Sequence, residues 1–349
     1  MRNEKGSILV LFMMLLVVVT LLAVAGIQTG SFGTMIAGNG LEGQKAFWIA
    51  EAGLQDAKDK LNNAADIEAF KTLIGPSIQV VFGEGTYKIT TSIDTFDLIN
   101  RIKVISVGST SRASRTVEVT MIKMKANPKT WAALAANGSV NTIGNFTADG
   151  RDWDENGMVP LSNGEGSFGI ATRNTLNLGG SSSVGGTVAG IDYAPPDKGF
   201  GNPGVVSENP NQPLMTSPDN ALGLPEGTLK NMAQSNGTYY ENGNLVPSGP
   251  ISGVTYVEGN FATADGEGVL VVTGTLGNFH GNFKGIIIAN CVDKANGNSQ
   301  IVGTLLTMTT AAADVLNGTA DILFSKARIK RSLDSVSGVK LIAWREVKN

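Results

Sequence analysis

The chain has 349 residues, 42% of them hydrophobic and 16% charged, with a formal net charge of −3. That length points to two or three units, and the acidic balance argues against a nucleic-acid binder, which carries a basic patch or stripe. A single cysteine, Cys291, excludes a disulfide framework or a cysteine-based zinc site. A single histidine, His280, excludes a multi-histidine metal centre and leaves little for His-based catalysis.

The first forty residues carry the strongest signal. Ile8 to Ile27 is an apolar run broken by Thr20 and Gly26, and no charge falls between Lys5 and Glu42. About 20 such residues span a ~30 Å hydrocarbon core as a helix. A secretory signal peptide has a shorter apolar region, typically ~7–15 residues, whereas this run continues as a plausible helix. Arg2 and Lys5 place the short N-terminal end in the cytoplasm and the remainder outside the inner membrane by the positive-inside rule. A plain membrane anchor explains the hydropathy equally well.

Beyond the apolar run, Phe47, Ala50, Leu54, Ala57 and Leu61 form a stripe at helical spacing, the mark of a face packed on a core. Gly38, Gly40 and Gly43 lie between the two helical stretches. Each glycine weakens a helix by up to ~1 kcal/mol, so a bend or a melted turn is expected near residues 30–43.

A short basic leader ending in Gly6, an apolar helix directly after it, then Ile36-Ala37-Gly38-Asn39 and Ala46-Phe47-Trp48-Ile49-Ala50-Glu51-Ala52-Gly53-Leu54 resemble the N-terminus of PilX-type minor pilins of type IV pili. The resemblance covers roughly the first sixty residues. It implies cleavage after Gly6 by a prepilin peptidase, which leaves Ser7 as the first, N-methylated residue. It also implies a membrane helix over residues 7–27 that enters a filament core through Leu11, Phe12, Leu15, Val19 and Leu22. Most pilins of that kind carry glutamate at the fifth mature position, here Leu11. Such a carboxylate commonly pairs with the N-terminal amine of the preceding subunit. A subunit that begins a filament has no such neighbour, and an unpaired charge in an apolar setting is costly. The departure therefore favours a priming or tip role over bulk shaft building. The partners implied are the inner membrane, the peptidase, other minor pilins, the major pilin and a tip adhesin, with no nucleic acid.

From Gly83 the pattern changes to strands. Thr86–Thr91, Arg101–Val107 and Arg115–Met121 each alternate apolar with polar residues. Three antiparallel strands laid on the amphipathic helix make a small pilin-like head, an α+β unit, over residues 63–127. The pattern of these strands recurs in the same family, so the resemblance extends to about residue 125.

After Pro128 the composition shifts towards Gly, Asn, Ser and Thr, and the region 128–349 reads as mainly β. Val254–Phe261 aligns with Val269–Leu276 fifteen residues on, Ile286–Val292 follows, and Leu306 lies eighteen after Ile288. Short apolar strands at near-constant spacing predict a parallel β-solenoid, in which stacking supplies a core that no single copy has; a sandwich of hairpins is the alternative. Leu176–Leu178 and Val184–Val188 fit the same stack. Gly or Asn at equivalent places (Gly259, Gly274, Asn290) suits turns that need positive φ. Nine of the twelve prolines lie between Pro195 and Pro250, marking an excursion with a short helix near Thr228–Gln234. Ala327–Trp344 reads as a helix and a strand, Lys340–Trp344, that cover the end of the stack.

Candidate chemistry is sparse. Asp152-Trp153-Asp154-Glu155-Asn156-Gly157 matches the first half of a calcium loop, and Ca²⁺ takes 6–8 oxygens. Asp149, Asp152, Asp154 and Asn156 are the candidate ligands. The twelfth position is Asn163 rather than glutamate, so an EF-hand is not supported, and a polar turn with aspartates bonding their own backbone is the competing account. Cys291 reads as a small buried hydrophobe. Asp265, Glu267 and Asp293 bring to mind β-helix polysaccharide lyases and hydrolases, which use clustered carboxylates and basic residues along one stacked face; basic residues are scarce between Lys230 and Lys284, so no such cluster is read here. The reading reached is a non-enzymatic minor pilin. It lies in the inner membrane with a periplasmic C-terminus before assembly, and in the filament or at the cell surface afterwards. A type II secretion pseudopilin and a membrane-tethered polysaccharide-binding or polysaccharide-degrading β-helix are the alternatives.

Overall fold

In the computed structural model, which describes residues 5–64, 66–93, 101–263, 265–293, 299–311 and 314–347, the N-terminal sequence forms one α-helix of 59 residues, α1 (Lys5–Asn63). Of the bend or melted turn expected near residues 30–43, the melted turn does not occur: the helix runs unbroken through that stretch. No proline interrupts the helix, and each glycine in that stretch still donates and accepts helical hydrogen bonds, so its cost stays entropic and does not break the element.

Contacts divide the chain into two units, residues 1–123 with 339–349, and residues 124–338. In the first unit α1 is followed by α2 (Ile67–Ile74), capped by the Asp66 carboxylate on the Ala69 N–H. The sheet strands are β1 (Ile78–Phe82), β2 (Gly85–Ile93), β3 (Arg101–Ser109) and β4 (Ser114–Met124). They pair antiparallel in that order. The alternation read in β3 is realised: its even-numbered residues Ile102, Val104 and Ser106 are fully buried. The core joins them to Ala50, Leu54, Ala57 and Leu61 of α1 and to Phe70 of α2, so the helical stripe does face a core. Burying a side chain such as Leu61 or Phe70 contributes about 1.5–3 kcal/mol.

The helix can lie flat on this sheet because small residues meet. A Cβ added at Gly108 of β3 would fall 2.1 Å from the Ala46 carbonyl oxygen and 2.4 Å from the Ala50 nitrogen. One added at Gly53 of α1 would fall 2.3 Å from Ser106 Oγ. No side chain fits at either place without separating the layers.

A fifth strand, the last of the chain (Gly338–Val347), adds to the outer edge of β4. The sequence had suggested that this segment covers the end of the second region. Instead it belongs to the first unit, where Arg345 bonds Glu118 at 3.0 Å, Arg115 bonds Glu346 at 3.2 Å, and Trp344 Nε1 donates to Glu51 at 2.8 Å. A short apolar strand suits any open sheet edge, and these polar contacts distinguish the edge it takes. Arg345 beside Glu118 holds that carboxyl below its ordinary range.

The second unit is built in two passes. The first contains β5 (Ala132–Ala136), β6 (Val140–Asp149), β7 (Phe168–Thr172), β8 (Leu176–Leu178), β9 (Ser183–Val188), β10 (Ile191–Tyr193), β11 (Gly199–Phe200) and β12 (Val206–Glu208). A connecting stretch carries α3 (Pro218–Ala221) and α4 (Thr228–Asn236). The second pass contains β13 (Tyr239–Tyr240), β14 (Val254–Val257), β15 (Phe261–Thr263), β16 (Gly266–His280), β17 (Asn282–Val292), β18 (Ser299–Thr307) and β19 (Asp314–Leu323), then α5 (Lys326–Val336).

Among the described residues these fifteen strands share one hydrogen-bonded network, parallel throughout except for the β9–β10 hairpin. The repeats read from sequence fall in register: Val254 pairs with Val269, Val269 with Ile286, and Ile288 with Leu306. Their order in space differs from their order in sequence. One path runs β12–β7–β5–β18–β17–β16–β14–β13. The first pass therefore starts in the middle, beside β18, and builds outward. The second pass starts at the opposite end and winds back until β18 meets β5 and β19 meets β6.

The connecting stretch must cross between the two ends, and it does so as a packed strap. Leu222 and Leu229 are fully buried. Asn137 Nδ2 donates to the Met215 carbonyl at 2.7 Å, while the Met215 N–H donates to Asn137 Oδ1 at 3.1 Å. Gly227 offers α4 no side-chain cap, so Asp219 of α3 takes that role, accepting from the N–H groups of Gly227 at 3.0 Å and Leu229 at 2.8 Å. Burial pushes the Asp219 carboxyl up, against those hydrogen bonds.

The column of positive φ in the stack is not the one sequence suggested. Gly268, Gly285 and Gly303 sit in register, with φ of +118°, +139° and +144°. A Cβ on Gly285 would lie 2.1 Å from the carbonyl oxygen of Gly268, and one on Gly303 1.9 Å from that of Gly285. Helix α5 rests on this column: Ser332 Oγ donates to the Gly268 carbonyl at 3.1 Å, and the buried Arg328 reaches Glu267 at 2.7 Å.

Candidate functional site

Two surfaces are candidates, one in each unit. The first is the forward part of α1. From Ile8 to Ile36 its large apolar side chains are all 52–72% exposed, on every side of the helix. Leu11, Phe12, Leu15, Val19 and Leu22 are among them. Its most apolar 18 residues have a mean hydropathy of 3.2, and the helix is long and apolar enough to cross a membrane. Its few hydroxyls are turned inward: Thr20 Oγ1 donates to the Leu16 carbonyl and Thr29 Oγ1 to the Ala25 carbonyl, each at 2.8 Å. This satisfies polar groups without offering any to the surroundings. A helix that is apolar all round cannot be the face of a water-soluble domain. Gly6 and Ser7 lie in its first turns, and residues 1–4 of the leader lie outside the described residues.

The second surface is a cleft of about 830 Å³ in the second unit. Its floor is the outward side of β15, β16 and β17. Thr275 and Cys291 stand side by side there, with Oγ1 and Sγ 3.3 Å apart. The segment 243–251 and the carboxylates Asp265 and Asp293 also line the cleft. Asp265 is partly committed, accepting the Asn282 N–H at 2.7 Å.

The PilX N-terminal family matches residues 5–55. No curated protein matches the chain. Among solved structures, the competence-associated pilin ComZ from Thermus thermophilus is 14% identical over 88% of this chain and 97% of that one, with a TM-score of 0.24, too low to carry an argument. What this chain shares with the PilX N-terminal family is the segment of residues 5–55.

The matched PilX segment has a physical rationale in this fold. Its first half is the exposed apolar helix. Its second half holds Ala46, Ala50 and Gly53, the residues whose small size lets α1 lie on β2 and β3. Ser106 and Gly108 of β3 supply the matching hollow.

The aspartates singled out as calcium ligands are otherwise engaged. The Arg151 guanidinium bonds both oxygens of Asp149, at 3.1 Å and 2.7 Å. Asp152 accepts the Lys326 N–H and the Asn163 amide, both at 2.9 Å. Asp154 accepts the N–H groups of Met158 at 2.6 Å, Val159 at 3.0 Å and Asn156 at 3.3 Å. Asn156 Oδ1 accepts Lys284 Nζ at 3.0 Å. The hydrogen bonds to Asp154, that from Val159 foremost, hold its carboxyl below the ordinary range. Among the described residues no three His, Cys, Asp or Glu side chains group to hold a metal. As folded, the donor set is an internally bonded turn and does not fit a calcium site.

The remaining residues of interest scatter. Cys291 is half-buried on the cleft floor rather than in the core. His280 ends β16, its Nδ1 2.9 Å from the Asn278 carbonyl oxygen. Glu267 is held by Arg328, away from Asp265 and Asp293. Sequence reasoning missed the cleft because its residues come from four separated segments, with no motif to mark them.

Proposed function

We propose that this PilX-type minor pilin primes assembly of a type IV pilus or sits at the filament tip. The parallel strand stack of residues 124–338 is read as a β-solenoid presented for contact with other subunits, an adhesin or a surface. The observation that carries the reading is the exposed helix from Ile8 to Ile27, apolar on every side, with Leu11 in the place where the resemblance leads one to expect glutamate. Before assembly such a helix is satisfied by lipid, and afterwards by the apolar helices of neighbouring subunits. Leu11 needs no amine partner, which suits a subunit with none ahead of it. On this reading Arg2 and Lys5 hold the N-terminus in the cytoplasm, prepilin peptidase cuts after Gly6, Ser7 is methylated, and the minor and major pilins are the partners. The role is structural rather than enzymatic.

Mass spectrometry of the mature N-terminus, in cells with and without prepilin peptidase, tests it. An N-methylated Ser7 that is lost without the peptidase is the expected result. An intact Met1, or cleavage well beyond Gly6, overturns the reading. Immunogold labelling then separates tip from shaft: one label per filament end is expected, and labelling along the length refutes the tip assignment.

A further inference from the structure

We propose that the cleft of the second unit binds a neutral oligosaccharide. Its floor is built from small side chains on three neighbouring strands: Ala262 of β15, Thr275 and Gly277 of β16, and Cys291 of β17. Paired strands lie about 4.8 Å apart, so the floor is about 10 Å across and flat. At about 830 Å³ the cleft falls within the ~300–1,000 Å³ of small-ligand sites.

The chemistry around this floor selects the ligand class. Asn244, Ser248 and Thr275 offer both donors and acceptors, and Asp265 and Asp293 offer strong acceptors. A sugar hydroxyl both donates and accepts, and suits that mixture. Phe261 lines the same cleft but packs against the core in register with the buried Leu276, so hydrogen bonding, not ring stacking, would hold the ligand. The described lining residues include two carboxylates and no lysine, arginine or histidine. Among the described lining residues a polyuronate or a nucleic acid would meet like charge with no counter-charge. β15, at one side of the floor, pairs with β16 alone among the described strands, so a peptide added at that edge is the competing occupant that the titration tests.

The reading of this unit as exposed on a filament bears only on what such binding would be used for, and the binding itself is measured separately. The full chain, purified in a detergent without a sugar headgroup, is titrated calorimetrically with cello-, malto- and chito-hexaose. Oligogalacturonate of the same length and a lysine hexapeptide are run in parallel. Binding of at least one neutral hexaose, with none of the uronate or the lysine peptide, is expected.

Gly277→Trp blocks the floor. A Cβ there meets just the Thr275 methyl at 4.0 Å, so the variant folds while its indole fills the cleft, and binding is lost. Asp293→Asn weakens binding by about tenfold, as expected for loss of a charged hydrogen-bond acceptor. Asp265→Asn does the same while keeping the oxygen that accepts from Asn282. Preference for the uronate or the lysine peptide, absence of binding across the panel, or binding that survives Gly277→Trp each overturns the proposal. None of these outcomes bears on whether the chain is cleaved after Gly6.

Discussion

Asp314 is the most strongly perturbed carboxylate of the second unit, and it makes the stability of that unit depend on pH. Its side chain is fully buried beside β18. Oδ1 accepts the Val292 N–H at 2.8 Å and Oδ2 accepts the Thr307 hydroxyl at 2.5 Å. Burial outweighs both bonds and pushes its pKa up from 3.8 to about 6. The folded state therefore holds this proton more tightly than the unfolded chain. The stabilising effect is fully present below pH ~4 and is lost as pH rises through about 6. At ~1.36 kcal/mol per tenfold change, the loss is about 3 kcal/mol.

Asp314→Asn removes the ionisation and keeps the geometry. The amide oxygen still accepts from Val292, and the amide N–H₂ donates to a Thr307 hydroxyl that has turned round. Thermal unfolding followed by near-ultraviolet circular dichroism from pH 4 to pH 8 measures the difference. Wild type and variant should unfold together near pH 4. By pH 8 the variant should lead by up to about 3 kcal/mol, or ~6–12 °C for a unit of this size. Asp219 and Asp321, whose pKa values burial also raises, contribute equally to both proteins and cancel. Parallel pH profiles for the two proteins, or a variant that is less stable at pH 8, would refute the argument that desolvation dominates at Asp314.

Three further outcomes follow from the packing. Gly285→Ala places a Cβ 2.1 Å from the Gly268 carbonyl oxygen at a φ of +139°, and should cost at least ~3 kcal/mol in denaturant titrations; the same change at Gly277 is the control and should cost under ~1 kcal/mol. Gly108→Val drives α1 off the sheet and should expose the first unit to limited proteolysis between residues 64 and 123, whereas Gly26→Val, with nothing within 4 Å of its Cβ, should leave the cleavage pattern unchanged. Millimolar calcium, or its removal by a chelator, should shift the melting temperature by less than ~1 °C, because each oxygen of Asp149, Asp152 and Asp154 already accepts from an N–H of the chain; a dose-dependent rise with calcium would show that the turn rearranges around the ion.

Much of the architecture was legible because the periods are strong. The apolar run after Gly6 has no polar face, and the stripe from Phe47 to Leu61 repeats every three or four residues. Strands β2 to β4 alternate with period two, and Val254, Val269 and Ile286 recur at the interval of one stacked layer. Such patterns record which side of an element meets water. The calcium half-motif is ambiguous in sequence because a short run of aspartates and a glycine serves an Asx-type turn as well as an ion, and the turn's donors lie as far away in sequence as Lys284 and Lys326.

The sequence by itself determined the elements: a long apolar helix, a small antiparallel sheet and a set of parallel strands with in-register apolar residues. Those follow from local hydrogen bonding and the side-chain period of each segment. Only the tertiary structure decided the order of assembly. Parallel strands with similar apolar faces can stack in any sequence order, and the choice of β5 beside β18 rests on closing the stack between two passes with a strap long enough to return across it. The same holds for the C-terminal strand. Its apolar stretch, Leu341 to Trp344, would suit any open edge, and it takes the edge of β4, where Glu118, Glu51 and Arg115 of the first unit stand within reach of Arg345, Trp344 and Glu346.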